Sequence, residues 1–416
     1  MSKKSAKIII VIFALLLVAA ILAFYFYSSP NGTSPLSNLL PRSNIFPNIP
    51  GTNVAPATTS QNGGEASTDT GSSGTAQAAP LLKELSNRPV AGAVSIERDH
   101  NVFARYLEKA TGNVYEASPI KNDETRITNT TIPKIEEAFF SRNGSAFIAR
   151  YLKDDTDIIE SYYAAIKPKP DIPDENELQG VYLTENIKSL VTAPDRDSIF
   201  YLLSHTGGST GIVSGIDGSK KTEVFASALE EWLPVWAAPN LLTLTTKPSS
   251  GIAGYMFFLN PKTGKLTKVI SGIFGLTSLA SPNGNLILYS TSNGRSLSLN
   301  TYSLKGSVNR RISLVTLPEK CVWSKNDPVI LYCAVPLFLP DGAYPDAWYQ
   351  GTVYFQDDIW KIDTSTGEEN LVMKLSNYTS KEIDVTNLFL SPNEDYIFFI
   401  NKNDFHIWSL RLAPQE

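Results

Sequence analysis

Apolar residues in this chain come in short bursts. Runs such as Leu286-Ile287-Leu288-Tyr289 and Tyr396-Ile397-Phe398-Phe399-Ile400 end within a few residues at Gly, Asn or Asp. Bursts of that length, bounded by turn formers, predict strands joined by tight reversals rather than helices. One reversal recurs: Glu97-Arg98-Asp99, Ser141-Arg142-Asn143, Ala193-Pro194-Asp195, Ala238-Pro239-Asn240, Ser281-Pro282-Asn283, Ser324-Lys325-Asn326 and Ser391-Pro392-Asn393. The third positions of these seven copies fall 44, 52, 45, 43, 43 and 67 residues apart. That period suits four-stranded propeller blades and predicts an all-β, seven-bladed β-propeller over residues 81–416.

The turn has a physical basis. In Ser281-Pro282-Asn283-Gly284 the hydroxyl comes first, Pro presets φ second, Asn takes the bridge region third and Gly closes a type I turn. The flanks match as well: Phe103-Ala104-Arg105-Tyr106 and Ile148-Ala149-Arg150-Tyr151 follow the first two copies. Gly-centred turns recur later in the units, at Ala110–Asn113, Lys262–Lys265 and Ser365–Glu368. Asp358–Asp363 and His406–Leu410 read as third strands of their blades. These Ser-Pro-Asn-Gly turns, the Ile-Trp-x-Ile-Asp strand and the Thr-Gly hairpin resemble the TolB-like, WD-repeat-like propellers of bacteria. The resemblance implies a binding platform and no single biochemical role. After the last turn about three strands remain where a blade needs four. Leu81–Leu85 is expected to complete the last blade as its outer strand, which removes an open edge.

The N-terminus reads differently. Lys3, Lys4 and Lys7 in segment 1–7 precede Ile8–Tyr27, twenty residues without charge. At about 1.5 Å per residue such a helix spans the roughly 30 Å of a hydrocarbon core. The lysines place the N-terminus inside and the propeller outside the cytoplasm. A cleaved signal peptide is the competing reading. Residues 28–80, rich in Pro, Gly, Ser and Thr, are expected to form a disordered linker.

Charge removes some functions. Beyond residue 80 the chain has 32 basic and 39 acidic side chains, which does not suit nucleic acid. Cys321 and Cys333 flank the sixth turn. A hairpin there puts them opposite or one step out of register, close enough for a disulfide; two buried thiols are the alternative. Two Cys without matching His do not make a zinc site, and no metal or cofactor is expected.

Candidate chemistry is sparse. Gly207-Gly208-Ser209-Thr210-Gly211 matches the G-x-S-x-G pattern, yet a strand-like segment follows where a nucleophile elbow needs a helix. Carboxylate pairs such as Asp154-Asp155, Glu230-Glu231 and Asp357-Asp358 read as solvated loop residues. The acidic insertion Lys167–Gln179 reads as a solvated loop. The strongest functional candidate is the insertion Pro336–Gln350 in the sixth unit. Its Tyr344, Trp348 and Tyr349 offer flat contact area, and Asp341, Asp346 and Gln350 offer directed hydrogen bonds. Such a loop binds a partner or folds back over the ring as a cap. The expected role is a membrane-anchored protein-interaction module of the cell envelope. A glycan-binding or glycan-cleaving propeller and a scaffold subunit of a secretion or pilus-like assembly are the alternatives.

Overall fold

The computed structural model describes residues 81–412, apart from Asp155, Asp171, Pro173, Asp174 and Arg295. The expected anchor at residues 8–27 and linker at 28–80 lie outside these residues. Among the described residues no helix is long and apolar enough to cross a membrane.

The strands form seven four-stranded antiparallel sheets, each an up-and-down run of consecutive strands except the last. In blade 7, Val385–Leu390, Tyr396–Asn401 and Ile407–Arg411 are completed by Leu82–Glu84 from the other end of the chain. Leu82 pairs with Leu410 and Glu84 with Trp408. The expected closing strand is therefore present. The Glu84 carboxylate also binds Lys381 and His406, which latches the strand by its side chain.

Second strands are the most buried of each blade because both of their faces are covered. In Tyr396–Asn401 every residue is buried. Successive side chains point to opposite faces of a strand, so Tyr396, Phe398 and Ile400 pack toward blade 1 while Ile397 and Phe399 pack toward blade 6. Five further clusters of the same kind fill the other junctions between neighbouring blades, and together the seven close the ring. Outer strands such as Val308–Arg311 are exposed and polar.

All seven repeated turns connect the first and second strands of their blades. At Ser281 the Gly284 amide donates to the carbonyl at 2.8 Å, and the Leu286 amide donates to the Oγ at 3.0 Å. Gly284 takes φ +70°, a left-handed conformation that favours glycine. The first copy departs from this geometry. Its strand runs on through Arg98 and reverses at Asp99-His100, with φ +51° and +61°, the two-residue reversal that suits hairpin twist. The Gly turns divide: Ala110–Asn113 joins second to third strand, whereas the other two join third to fourth.

One sequence expectation needs correction and another is met by the expected Cys321–Cys333 disulfide. Blade 2 consists of Glu137–Phe140, Ala146–Leu152, Ile159–Pro168 and Asn176–Tyr182. The segment Lys167–Gln179 is therefore not one solvated loop. Its ends extend the hairpin, where Lys167 pairs with Glu177 and Gln179 with Ala165. Polar composition hid these pairs, because an outer strand has one side in water. In blade 6, Cys321 stands directly opposite Cys333 and the two form a disulfide with Cα atoms 4.0 Å apart.

Candidate functional site

Strand order places the insertion. In an up-and-down blade the second-to-third loops and the links to the next blade lie at the same end. Blade 6 consists of Cys321–Trp323, Ile330–Pro336, Asp357–Asp363 and Glu368–Met373. The insertion joins its second and third strands. At that end it meets Thr277, Glu319 and Asp384, each just ahead of a blade's first strand.

The insertion folds inward. The Leu337 amide donates to the Gln356 carbonyl at 2.8 Å, one step beyond the paired strands. A single helical turn, Asp346–Tyr349, then lies against the ring. Tyr344 and Trp348 are buried with Phe355, Leu297 and Leu317 in a separate apolar cluster. Tyr344 donates its hydroxyl to the Pro340 carbonyl. Asp346 accepts the Ser250 amide of blade 4 at 2.6 Å. Half-buried Tyr349 is hydrogen-bonded to Glu319, which also accepts the Thr277 hydroxyl at 2.9 Å. Asp341 and Gln350 are exposed. Of the six residues expected to bind, the structure thus turns the aromatic ones toward the ring and leaves two polar ones outside.

Beneath the insertion lies a buried ion network not expected from the sequence. The Lys320 ammonium is fully buried, 2.8 Å from Asp357 and 2.6 Å from Asp384. It also donates to the Val385 carbonyl at 2.7 Å. Asp384 accepts the Trp348 indole N–H at 3.0 Å and the Phe355 amide at 3.2 Å. Trp348 stacks on Phe355 with 7° between planes. Lys320 lies 5.1 Å from the Trp348 ring centre and Lys402 lies 4.2 Å from it. Lys402 also donates to the Trp348 carbonyl. The insertion is therefore a cap, held by one indole in contact with two lysines and tied to blades 4, 5, 6 and 7.

Burial decides the protonation of these groups. It pushes the Asp357 carboxyl up to about 6, with Lys320 opposing and Asp384 reinforcing the rise. Asp357 Oδ1 has no hydrogen-bond partner among the described residues. Burial lowers Lys402 to about 8 against the pull of Asp384. It also raises Glu319, and lifts Tyr349 well above the ordinary phenol value, helped by the Glu319 charge. These groups are all engaged in holding the cap.

The other candidates disperse. Ser209 sits within the strand Gly208–Gly215 and donates to the Leu229 carbonyl at 2.6 Å. Glu231 pairs with Lys247 at 2.8 Å. Asp357 and Asp358, read as solvated, are both buried; Asp358 accepts the Leu375 amide at 3.0 Å. Their place at the start of a third strand, not in a loop, accounts for the difference. Glu84, Asp404 and His406 bring ligand atoms within 4.8 Å of one another. The Lys381 ammonium bonds to Glu84 and Asp404 and already supplies the cation. The missed residues Lys320 and Asp384 had one sequence signal. Each is a charge set directly before an apolar first strand.

Outside the cap lie apolar side chains with no cover among the described residues. Leu337 is 52% and Phe338 65% exposed, and Ile252 on the neighbouring blade-4 loop is 68% exposed. Tyr354 beside Phe355 is also exposed.

No family model matches the chain, and no curated protein matches it. Solved structures do. An oligogalacturonate lyase in complex with manganese aligns at 11% identity with TM-score 0.52, covering 80% of this chain and 91% of that one. An oligogalacturonate lyase from Vibrio parahaemolyticus aligns at 13% and 0.52, covering 80% and 92%. The β-propeller domain of the Trilobed protease from Pyrococcus furiosus aligns at 11% and 0.47, covering 77% and 95%. At such identities the likeness to the two lyases shows the fold alone and nothing of the chemistry.

Proposed function

We propose that this chain is a membrane-anchored, extracytoplasmic β-propeller, TolB-like in its repeats, that serves as a protein-interaction module of the cell envelope. The observation that carries this reading is the division of the blade-6 insertion. Its inner side is locked by the Lys320–Asp384–Trp348 network, while Leu337 and Phe338 stand in water where it leaves the blade. Large apolar side chains on a rigid support mark contact sites, because the ordering cost has been met before the partner arrives. Ile252 and Tyr354 extend the same end of the ring. The uncharged segment Ile8–Tyr27 after three lysines supports the anchor, and the linker lets the propeller reach across a volume.

The test uses the full-length chain with a C-terminal tag, cross-linked in intact cells and recovered from membranes. The wild type recovers a discrete protein partner, and the double variant Leu337→Ser/Phe338→Ser loses it. Equal recovery with both chains removes Leu337 and Phe338 as the contact.

A further inference from the structure

A concave surface lies on blade 2, away from the cap. It is a groove of about 530 Å³ between the blade-1-to-2 link and the ends of the blade-2 strands. That volume is within the range of small-molecule sites. Tyr151, Tyr162 and Tyr182 supply its aromatic lining. The Tyr162 and Tyr182 ring centres are 5.0 Å apart and tilted by 56°, and the Tyr151 and Tyr182 hydroxyls are 3.4 Å apart. Tyr182 is 63% exposed.

The groove is built and held. Tyr162 lies against Gly180, where a Cβ would come within 2.6 Å of the ring. The facing link is pinned on both sides: the Ile132 amide donates to the Thr111 carbonyl at 2.7 Å, and Asn176 donates to the Ile127 carbonyl at 2.9 Å. At the rim the charges come in opposite pairs, Lys134 with Asp154 at 2.8 Å and Lys153 with Glu160 at 3.3 Å.

We infer that this groove binds a neutral carbohydrate, a short stretch of pyranose units. Three features select that ligand together. Tyrosine rings offer flat π faces to the apolar C–H face of a pyranose. The rim presents donors and acceptors side by side, as ring hydroxyls that both donate and accept require. Glu185 also lies 3.8 Å from Lys153, so these charges leave no positive excess. That disfavours a polyanion such as single-stranded nucleic acid, whose stacking sites come with a positive groove. The exposed apolar pair Leu337-Phe338 is a different surface, so this site stands or falls independently of the protein partner.

The test is saturation-transfer NMR and calorimetry on the full-length chain in detergent. The probes are cellotetraose, chitotetraose and maltotetraose, with tetragalacturonate as the acidic comparison. At least one neutral probe binds, its ring protons receive saturation, and Tyr182→Ala weakens it at least about tenfold with an unchanged unfolding midpoint. Absence of binding by every neutral probe up to about 10 mM overturns the inference. So does binding that survives Tyr182→Ala, and so does binding of tetragalacturonate alone.

Discussion

Replacing Trp348 with Ala is the sharpest perturbation of the cap. The side chain is 5% exposed, stacks on Phe355, and donates its N–H to Asp384 at 3.0 Å. Truncating a buried aromatic residue costs about 3–5 kcal/mol. Losing the donor adds up to about 1.5–3 kcal/mol for a charged acceptor, but less here, because Asp384 keeps Lys320 and the Phe355 amide. The two terms overlap, so a loss of about 4 kcal/mol is expected. It falls on opening of the cap before it falls on the ring, because the cap has its own apolar cluster. Hydrogen exchange reads that step through the amides of Ala347, Thr352 and Phe355, which donate to Ala343, Ala347 and Asp384. Their exchange should accelerate by about a thousandfold in Trp348→Ala. Trp348→Phe keeps a ring on Phe355 and loses only the donor, so about tenfold is expected. Exchange in Trp348→Ala within a factor of ten of the wild type would refute the claim that the indole locks the cap.

Three further outcomes follow from the same contacts. A chain beginning at residue 79 should stay monomeric, whereas one beginning at residue 88 lacks Leu82–Glu84 and should aggregate or melt lower, since blade 7 then has an open edge; equal melting temperatures would contradict the strand's role. Replacing Cys321 and Cys333 with Ser should destabilise blade 6 by about 3 kcal/mol or less, the chain-entropy limit for so short a loop, measured by denaturant unfolding against the oxidised wild type. Asp357, held at about 6 against an ordinary 3.8, keeps in the fold a proton that the unfolded chain releases; its contribution to stability is therefore present at pH 4, falls by up to about 3 kcal/mol as pH rises to 6, and is flat above. The wild type should show that component in its unfolding free energy between pH 4 and 6, and Asp357→Asn should lack it.

The repeat was legible because the turn that makes each blade is local. Ser281, Ser141 and Ser391 each accept an amide five residues on, at 3.0 Å, so the motif carries its own geometry. Ring closure was legible by counting strands after Ser391-Pro392-Asn393. The cap was legible as an interruption in spacing, but not its direction. Tyr344 and Trp348 read equally well as contact residues or as packing. What turns them inward is Asp384 and Lys320, residues 36 and 28 positions from Trp348 in the chain and adjacent to it only through the ring. Charged partners from different blades leave no periodic trace. The exposed apolar pair was also missed, because Leu337-Phe338 reads from sequence like any apolar run into a core.

One measurement weighs the exposed pair against the lock: partner recovery from membranes and cap exchange, taken together on Leu337→Ser/Phe338→Ser in the full-length chain. The expected result is loss of the recovered partner, with the amides of Ala347, Thr352 and Phe355 exchanging as in the wild type. Retained partner in a variant whose cap stays closed would contradict the assignment of this end of the propeller as the recognition surface.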